Sequence, residues 1–345
     1  MLASLAVQTL LVAAAAASPL VSKAGNDDDV PRVTIKNSTL VGVYSPGYDQ
    51  DFFLGVPFSQ LRIGDLRFRN PQPINESWDG ERAAQKLPPA CVGYGDCLYL
   101  NVVRPARASP AEPLPVLVWT YGGGFIQGSA ADLRNNISFI ADRSAELGQP
   151  IIGVTMNYRL SAWGFLASRE VADGGDSNFG LRDQRMSLEW IRDNIAAFGG
   201  DPAKVTIWGQ SAGCQGDGSA VGSSLRCLRA LPFEKLNAVV NSSATLRTWG
   251  PLVDGDLIAR SSHQQYLDGS YLRIPIIAGD NTAEGTAFAP KGINTTEQFR
   301  DDAYARKLLD AYPARSPDDC LPNLAPDYVP PAYPYGSQFR RVATA

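Results

Sequence analysis

The pentapeptide Gly209–Gly213, Gly-Gln-Ser-Ala-Gly, constrains the fold of this 345-residue chain more than any other segment. It follows a strand-like run, Val205–Trp208, and fits the Gly-x-Ser-x-Gly pattern of a tight turn from a strand to a helix. Glycines on both sides of the serine let the backbone crowd together, so that the serine hydroxyl is exposed. The pattern predicts that Ser211 is a nucleophile.

A serine hydroxyl attacks well only when a base removes its proton, and that base is commonly a histidine. The chain contains one histidine, His263. In sites built on this turn the chain order is serine, acid, histidine, whereas His263 precedes both acid candidates, Asp280 and Glu284. By spacing alone these two carboxylates are equal candidates, because both follow an apolar run. We expect His263 to be a surface or packed residue rather than the base.

A second glycine segment, Gly122-Gly123-Gly124, directly follows the apolar run Val116–Tyr121. Without side chains in the way, its backbone N–H groups can point at a developing oxyanion, together with the N–H of Ala212. The alternative is a flexible loop. A triple glycine at the end of a buried strand, with the serine turn later in the chain, favours the oxyanion hole.

Short apolar runs alternate with helical patterns, which predicts an α/β fold with a parallel sheet. Helices are expected at 137–147 and 178–198, the second ending at Gly199-Gly200. Strands are expected at 33–35, 40–44, 116–121, 151–156, 205–208 and 274–278.

Residues 1–17 are apolar and alanine-rich, and small residues precede Ser18. This pattern is typical of a secretory signal peptide cleaved after Ala17, which leaves residues 18–345 as the mature domain. The alternative, a membrane anchor, is disfavoured because the run is shorter than the ~20 residues that span a bilayer. We expect a secreted, extracellular protein without stable membrane insertion.

The secretory route is supported by sequons, and it sets expectations for the cysteines. The Asn-x-Ser/Thr sequons are at Asn37, Asn75, Asn136, Asn241 and Asn294. In an oxidising compartment cysteines are expected to pair. The natural local pairs are Cys91 with Cys97 and Cys214 with Cys227, which leaves Cys320 over.

Composition disfavours several other functions. The net charge is −4 and no run of Lys or Arg stands out, so nothing indicates nucleic acid as a partner. One histidine and separated cysteines do not supply a zinc site. The glycine segment at 122–124 lacks the Gly-Lys-Ser/Thr ending of a phosphate-binding loop.

A set of motifs also occurs in order in one known family. They are Phe53–Phe58, Gly64–Phe68, Asp96–Val102, Tyr121–Phe125, Asn157–Leu160, Asn178–Gln184, Phe198–Pro202 with the following serine turn, and Gly279–Thr286. With these motifs the chain resembles the type-B carboxylesterases and lipases, which include secreted fungal lipases and cholinesterases. The resemblance implies an α/β-hydrolase fold, hydrolysis of a small-molecule or lipid ester through an acyl-enzyme, and no cofactor.

The resemblance also implies roles for individual residues. Ser211 would be the nucleophile, Glu284 the triad acid, and Gly123, Gly124 and Ala212 the oxyanion donors. The pairs Cys91–Cys97 and Cys214–Cys227 resemble the two disulfides of the family.

The chain departs from the family pattern in four places. Gln210 stands where Glu is usual, and Tyr121 where His is usual. In the family, a helix, a strand and further structure separate the serine turn from the segment seen here at 227–229, and this block is missing after Gly213 in the present sequence. The sequence also stops at a segment that in relatives precedes the catalytic histidine. We therefore expect an incomplete α/β-hydrolase fold that lacks the triad histidine.

Three functional hypotheses follow. The first is a secreted serine ester hydrolase with little activity, because the base is missing. The second is a non-catalytic secreted glycoprotein that uses the fold for binding. The third is a truncated product that does not fold stably, since lost elements expose apolar surface. The short Cys91–Cys97 connection, where lipolytic relatives carry a lid, weakly disfavours long lipid substrates.

Overall fold

The computed structural model describes residues 30–61, 64–91, 96–106, 108–168, 171, 174–214, 232–242 and 249–280. The chain divides into two units, Met1–Tyr271 and Leu272–Ala345. All helices and strands given below lie in the first unit, and the second is described only over residues 272–280.

The described elements are short, apart from one long helix. The strands are β1 (Arg32–Thr34), β2 (Thr39–Val41), β3 (Val43–Ser45), β4 (Gln50–Pro57), β5 (Glu81–Ala83), β6 (Tyr99–Pro105), β7 (Leu114–Thr120), β8 (Ile152–Met156) and β9 (Gly200–Gly209). The α-helices are α1 (Ser138–Glu146), α2 (Ser161–Phe165), α3 (Phe179–Asn194), α4 (Phe233–Val240) and α5 (Ser262–Leu267). Short 3-10 helices cover Gly64–Leu66, Leu133–Asn135, Ile195–Phe198 and Ser211–Cys214.

The main sheet has six strands in the order β3-β4-β6-β8-β7-β9. β7 runs parallel to both β8 and β9, whereas β4 pairs antiparallel with β3 and β6, and β6 pairs antiparallel with β8. The predicted parallel sheet is therefore correct for three strands, and the sheet as a whole is mixed. The predicted strand at 40–44 is interrupted at Gly42, which leaves β2 in a separate sheet with β1 and β5.

The predicted helices are confirmed, and they cover the sheet. The helix expected at 178–198 comprises α3 and the 3-10 helix Ile195–Phe198, and it ends at Gly199 in a left-handed conformation. Phe198 is fully buried and packs edge-to-face on Phe53 of β4, with ring centroids 5.1 Å apart. Burial of one such ring contributes about 1.5–3 kcal/mol, so this contact fixes the long helix against the sheet.

Burial differs strongly among the three parallel strands. All five residues of β8 are buried. In β9, which is the edge strand of the described sheet, half of the residues are exposed and only Gly200 is buried, and Ile207 is 57% exposed. The interior of the sheet thus lies around β8, while its serine-bearing edge is thinly covered.

The strand expected at 274–278 is wrong. Residues 272–280 form no strand, and Ile274, Ile276 and Ile277 are all exposed. An apolar run becomes a strand only where a neighbouring strand completes its hydrogen-bond ladder, and no described residue pairs with this run. The apolar run alone was therefore not enough to predict a strand, because a strand also needs a partner.

A buried ion pair connects the loop after β8 to α3. The guanidinium of Arg159 donates to both carboxylate oxygens of Asp183 at 2.7 Å, and the backbone N–H of Arg159 donates to the same carboxylate at 3.0 Å. The side chains are 6% and 0% exposed. Geometry of this kind is bidentate and charge-assisted, so it holds the carboxyl end of β8 in a fixed position on the helix.

A second polar cluster holds the segment at 251–258 against the start of α3. Asp254 accepts hydrogen bonds from Ser177 at 2.5 Å and Asn178 at 2.7 Å, and from the N–H groups of Asp256 and Ile258. Burial pushes the pKa of the Asp254 carboxyl upward, but these hydrogen bonds outweigh burial and hold it below its usual range. Asp254 is therefore a charged anchor of this segment.

Cysteine pairing can be followed only in part. Cys91 and Cys97 are buried and form a disulfide bond. The second expected pair, Cys214 with Cys227, cannot be checked because Cys227 lies outside the described residues. Cys320 and the sequon asparagine Asn294 lie outside them as well.

Within the described part of the chain, no helix combines the length and apolar character needed to cross a membrane.

Candidate active site

Ser211 lies at the turn that follows β9. Its φ angle is +56°, in the left-handed region, and the residue is exposed. A left-handed conformation costs a residue with a Cβ roughly 1–2 kcal/mol, and such strain is concentrated at functional sites. The next residue, Ala212, is 8% exposed and joins the hydrophobic core. The turn therefore exposes Ser211 to solvent, while the burial of Ala212 in the core anchors its backbone.

The glycine segment after β7 lies directly beside this turn. Thr120 of β7 is paired with Gly209 of β9, so the residues that follow each strand emerge side by side. A Cβ at Gly122 would lie 2.4 Å from the carbonyl oxygen of Gln210, a distance that real atoms do not reach. Only a residue without a side chain fits between the two segments.

The next two glycines adopt backbone conformations that other residues avoid. Gly123 has φ +124° and Gly124 has φ +62°. The carbonyl of Gly123 accepts hydrogen bonds from the N–H groups of Ile126 and Gln127, both at 3.2 Å, which closes a tight turn. The N–H groups of Gly123 and Gly124 donate to no other described residue. They are thus available as donors to a negatively charged oxygen, which an oxyanion hole requires.

Two stacked tyrosines fix the start of this glycine segment. Tyr158 donates its hydroxyl to the carbonyl of Tyr121 at 2.9 Å, and Tyr121 donates its own hydroxyl to the carbonyl of Tyr158 at 3.2 Å. Their ring centroids are 4.6 Å apart. Burial raises the pKa of both hydroxyls, so each remains a protonated donor at neutral pH. The peptide before Gly122 is therefore held by a reciprocal pair.

Among the described residues, neither the predicted acid Glu284 nor a hydrogen bond between His263 and Ser211 is found. Glu284 lies outside the described residues. Asp280 is exposed and belongs to the second unit, of which only 272–280 is described. His263 is exposed on the short helix α5, and its side chain forms no hydrogen bond or ion pair with another described residue. What the structure does bring together is Ser211, Ala212 and the glycine segment.

Some residues that support the site had no role in the sequence-based prediction. Tyr158 and Arg159 belong to the motif Asn157–Leu160, which matched the family without a function being assigned. Their partners, Tyr121 and Asp183, are far away in the sequence. Only a fold that places β7, β8 and α3 side by side could show these pairings.

Comparison with known proteins identifies the family. The sequence model of the Carboxylesterase family matches residues 29–221. Lipase 1 of Geotrichum candidum is 31% identical over 84% of this chain and 68% of its own length. Secreted lipase 1 of Botryotinia fuckeliana is 31% identical over 78% of this chain and 62% of its own length.

Solved structures show the same fold. EstA of Aspergillus niger superposes with a TM-score of 0.72 at 23% identity, over 92% of this chain and 72% of that chain. The chain thus spans 62–68% of the length of the two lipases and a somewhat larger share of EstA. The resemblance to type-B carboxylesterases and lipases is confirmed. The chain has the α/β-hydrolase fold and belongs to the carboxylesterase family, which makes it a carboxylic ester hydrolase by family.

Proposed function

We propose that this protein hydrolyses carboxylic esters through an acyl-enzyme formed on Ser211. The observation that carries the proposal is the strained, exposed serine packed against a glycine segment whose N–H groups have no described partner. A nucleophile and oxyanion donors are the two parts that acyl transfer requires at one place.

In the proposed reaction the Oγ atom of Ser211 attacks the ester carbonyl carbon. The carbonyl oxygen becomes an oxyanion that accepts hydrogen bonds from the N–H groups of Gly123, Gly124 and Ala212. The bond to the alcohol then breaks, the alcohol leaves with a proton, and an acyl-serine remains. Water hydrolyses this ester and restores the serine.

Glu284 is the proposed triad acid. The rate of ester turnover depends on the group that accepts the proton of the Ser211 hydroxyl. Because His263 is exposed on α5 and forms no hydrogen bond with Ser211 in the described structure, we expect slow turnover. Removal of the histidine from a serine protease lowers turnover on the order of a millionfold, and the oxyanion hole with binding alone retains roughly a thousandfold over water. A reagent specific for activated serines should therefore react with Ser211 slowly but selectively.

We also propose the secretory features. Residues 1–17 act as a cleaved leader, residues 18–345 form the mature glycoprotein, and Cys214 pairs with Cys227. The name of the Botryotinia fuckeliana relative supports export. For the substrate we propose small esters rather than long lipids, because only six positions separate Cys91 from Cys97 where lipolytic relatives carry a lid.

A fluorophosphonate probe tests the proposed nucleophile. The purified protein is incubated with the probe, and the adduct is mapped by mass spectrometry. We expect the label on Ser211, its loss in Ser211→Ala, and no change in Ser262→Ala, which removes an exposed serine next to His263.

Ester turnover is measured on the same samples with p-nitrophenyl acetate. A cooperatively folded protein with neither label nor turnover would overturn catalysis and favour the non-catalytic binding protein, an alternative that the isolated His263 supports. A chain without a cooperative transition would favour the unstable product.

A further inference from the structure

Of the sequon asparagines that the structure describes, Asn75 differs from the other three. The Nδ2 atom of Asn37 donates to the carbonyl of Glu76 at 2.8 Å, and that of Asn241 donates to Asn237 at 2.8 Å. Asn136 accepts hydrogen bonds from the backbone and hydroxyl of Ser138 at the start of α1. Asn75 is exposed, and its amide has no hydrogen-bond partner among the described residues.

The backbone beside Asn75 is nevertheless held in place. The carbonyl of Glu76 accepts the Asn37 amide, and the N–H of Trp78 donates to the carbonyl of Asn37 at 2.9 Å. These two bonds fasten the sequon Asn75-Glu76-Ser77 to the small sheet. A fixed backbone with an uncommitted, exposed amide can carry a large substituent in the folded protein, as an N-linked glycan requires.

Asn75 also lines a cleft of about 440 Å³, a volume within the usual range of ligand pockets. The cleft lies beside the ends of β4 and β6, and Trp78 and Leu61 give it an apolar part, Leu61 being 48% exposed. Arg82, whose Cζ lies 4.3 Å from the Trp78 ring centroid, and Asp96 give it charged groups.

This combination of surfaces suits a sugar. A pyranose ring has an apolar face of C–H groups and a rim of hydroxyl and amide groups. Indole and leucine side chains can cover the first, while guanidinium donors and carboxylate acceptors can hydrogen-bond the second. Because Asn75 and Trp78 are three positions apart and line the same cleft, the first sugar on Asn75 is within reach of the indole.

We propose that Asn75 is N-glycosylated and that its first N-acetylglucosamine lies in this cleft against Trp78. In the modification, the amide nitrogen of Asn75 forms a bond to the anomeric carbon of a polyprenyl-pyrophosphate-linked oligosaccharide supplied by the host secretory pathway. The anomeric C–O bond breaks, the pyrophosphate leaves with the electron pair, and a base of the transferase takes the amide proton. The inference rests on the proposed secretory route but not on ester hydrolysis.

The first measurement is occupancy of Asn75. The full chain is expressed in a eukaryotic secretory host, and a second version carries the host leader in place of residues 1–17, so that failure of the native leader is seen separately. Glycopeptide mass spectrometry of the secreted protein should find a glycan on Asn75. An unmodified Asn75 in secreted protein overturns the proposal.

The second measurement is solvent access to Trp78, by hydroxyl-radical footprinting of the intact glycoprotein. Oxidation of Trp78 should rise several-fold in Asn75→Gln and stay unchanged in the matched control Asn241→Gln, whose sequon lies at the end of α4. Equal oxidation of Trp78 with and without the Asn75 glycan overturns the cleft assignment. The result is independent of whether Ser211 reacts with the fluorophosphonate probe.

Discussion

Gly122 lies so close to the turn that carries Ser211 that a Cβ at this position would be 3.0 Å from the Cβ of Ser211. We predict that Gly122→Ala displaces the turn and lowers the rate of fluorophosphonate labelling about a hundredfold, the loss expected from a displacement of about 1 Å at a reactive centre. Gly47→Ala is the matched control, since a Cβ there meets no atom within 4 Å. Labelling of Gly122→Ala at the wild-type rate would show that the glycine segment does not shape the turn.

Tyr158→Phe removes the hydroxyl that holds the carbonyl of Tyr121. A net hydrogen bond contributes about 0.5–1.5 kcal/mol, and a buried acceptor left without its donor adds to the loss. We therefore expect a decrease of at least about 1 kcal/mol in the free energy of unfolding, measured by urea denaturation. Tyr44→Phe is the control, because that hydroxyl bonds Asp49 at an exposed site. Equal stability of the two variants would contradict the reciprocal pair.

Arg159→Leu leaves the carboxylate of Asp183 buried without its cation. Breaking a buried pair in this way costs about 3–5 kcal/mol, so the variant should unfold at a much lower urea concentration. The double variant Arg159→Leu/Asp183→Leu should recover part of the loss, since no unpaired charge remains. Arg143→Ala, which breaks an exposed pair with Glu146, should cost about 0–1 kcal/mol. An Arg159→Leu variant as stable as Arg143→Ala would be incompatible with a buried pair.

Asp254 gives the protein an acid-sensitive anchor. Its pKa in the folded state is below its usual range, so the stabilisation it supplies is present above the unfolded pKa, about 3.9, and is lost as the pH falls through the folded value. Asp254→Asn should lower the melting temperature at pH 7, and the difference from wild type should shrink by pH 3. Asp79→Asn, at an exposed position, is the control. A difference that stays constant with pH would argue against the charge as the cause.

The sequence predicts those parts of the fold that depend on neighbouring residues. The helical spacing at 178–198 and the apolar run at 151–156 predict α3 and β8 correctly. The sequence does not predict the antiparallel half of the sheet, because pairing of β4 with β6 joins residues about fifty positions apart. For the same reason the run at 274–278 was misassigned, since its apolar pattern contains no information on whether a partner strand is present.

The candidate site also has parts that the local sequence predicts and parts that depend on how the strands pair. Ser211 and the glycines of 122–124 could be identified from the sequence because tight turns have local residue requirements. The contact between the two turns, and the support from Tyr158, require β7 to lie between β8 and β9. The roles of Glu284 and of the proton acceptor remain predictions, since each depends on spatial approach to Ser211.

The uneven burial of the parallel strands has a consequence for how the molecule opens. Backbone amides of β8, covered on both faces, should exchange with deuterium only through global unfolding, whereas those of β9 should exchange through a local opening of much lower free energy. Since Ser211 follows β9, the hydroxyl of this proposed nucleophile is attached to the part of the sheet that we expect to open first on mild heating. Loss of fluorophosphonate reactivity should therefore precede the loss of helical circular dichroism.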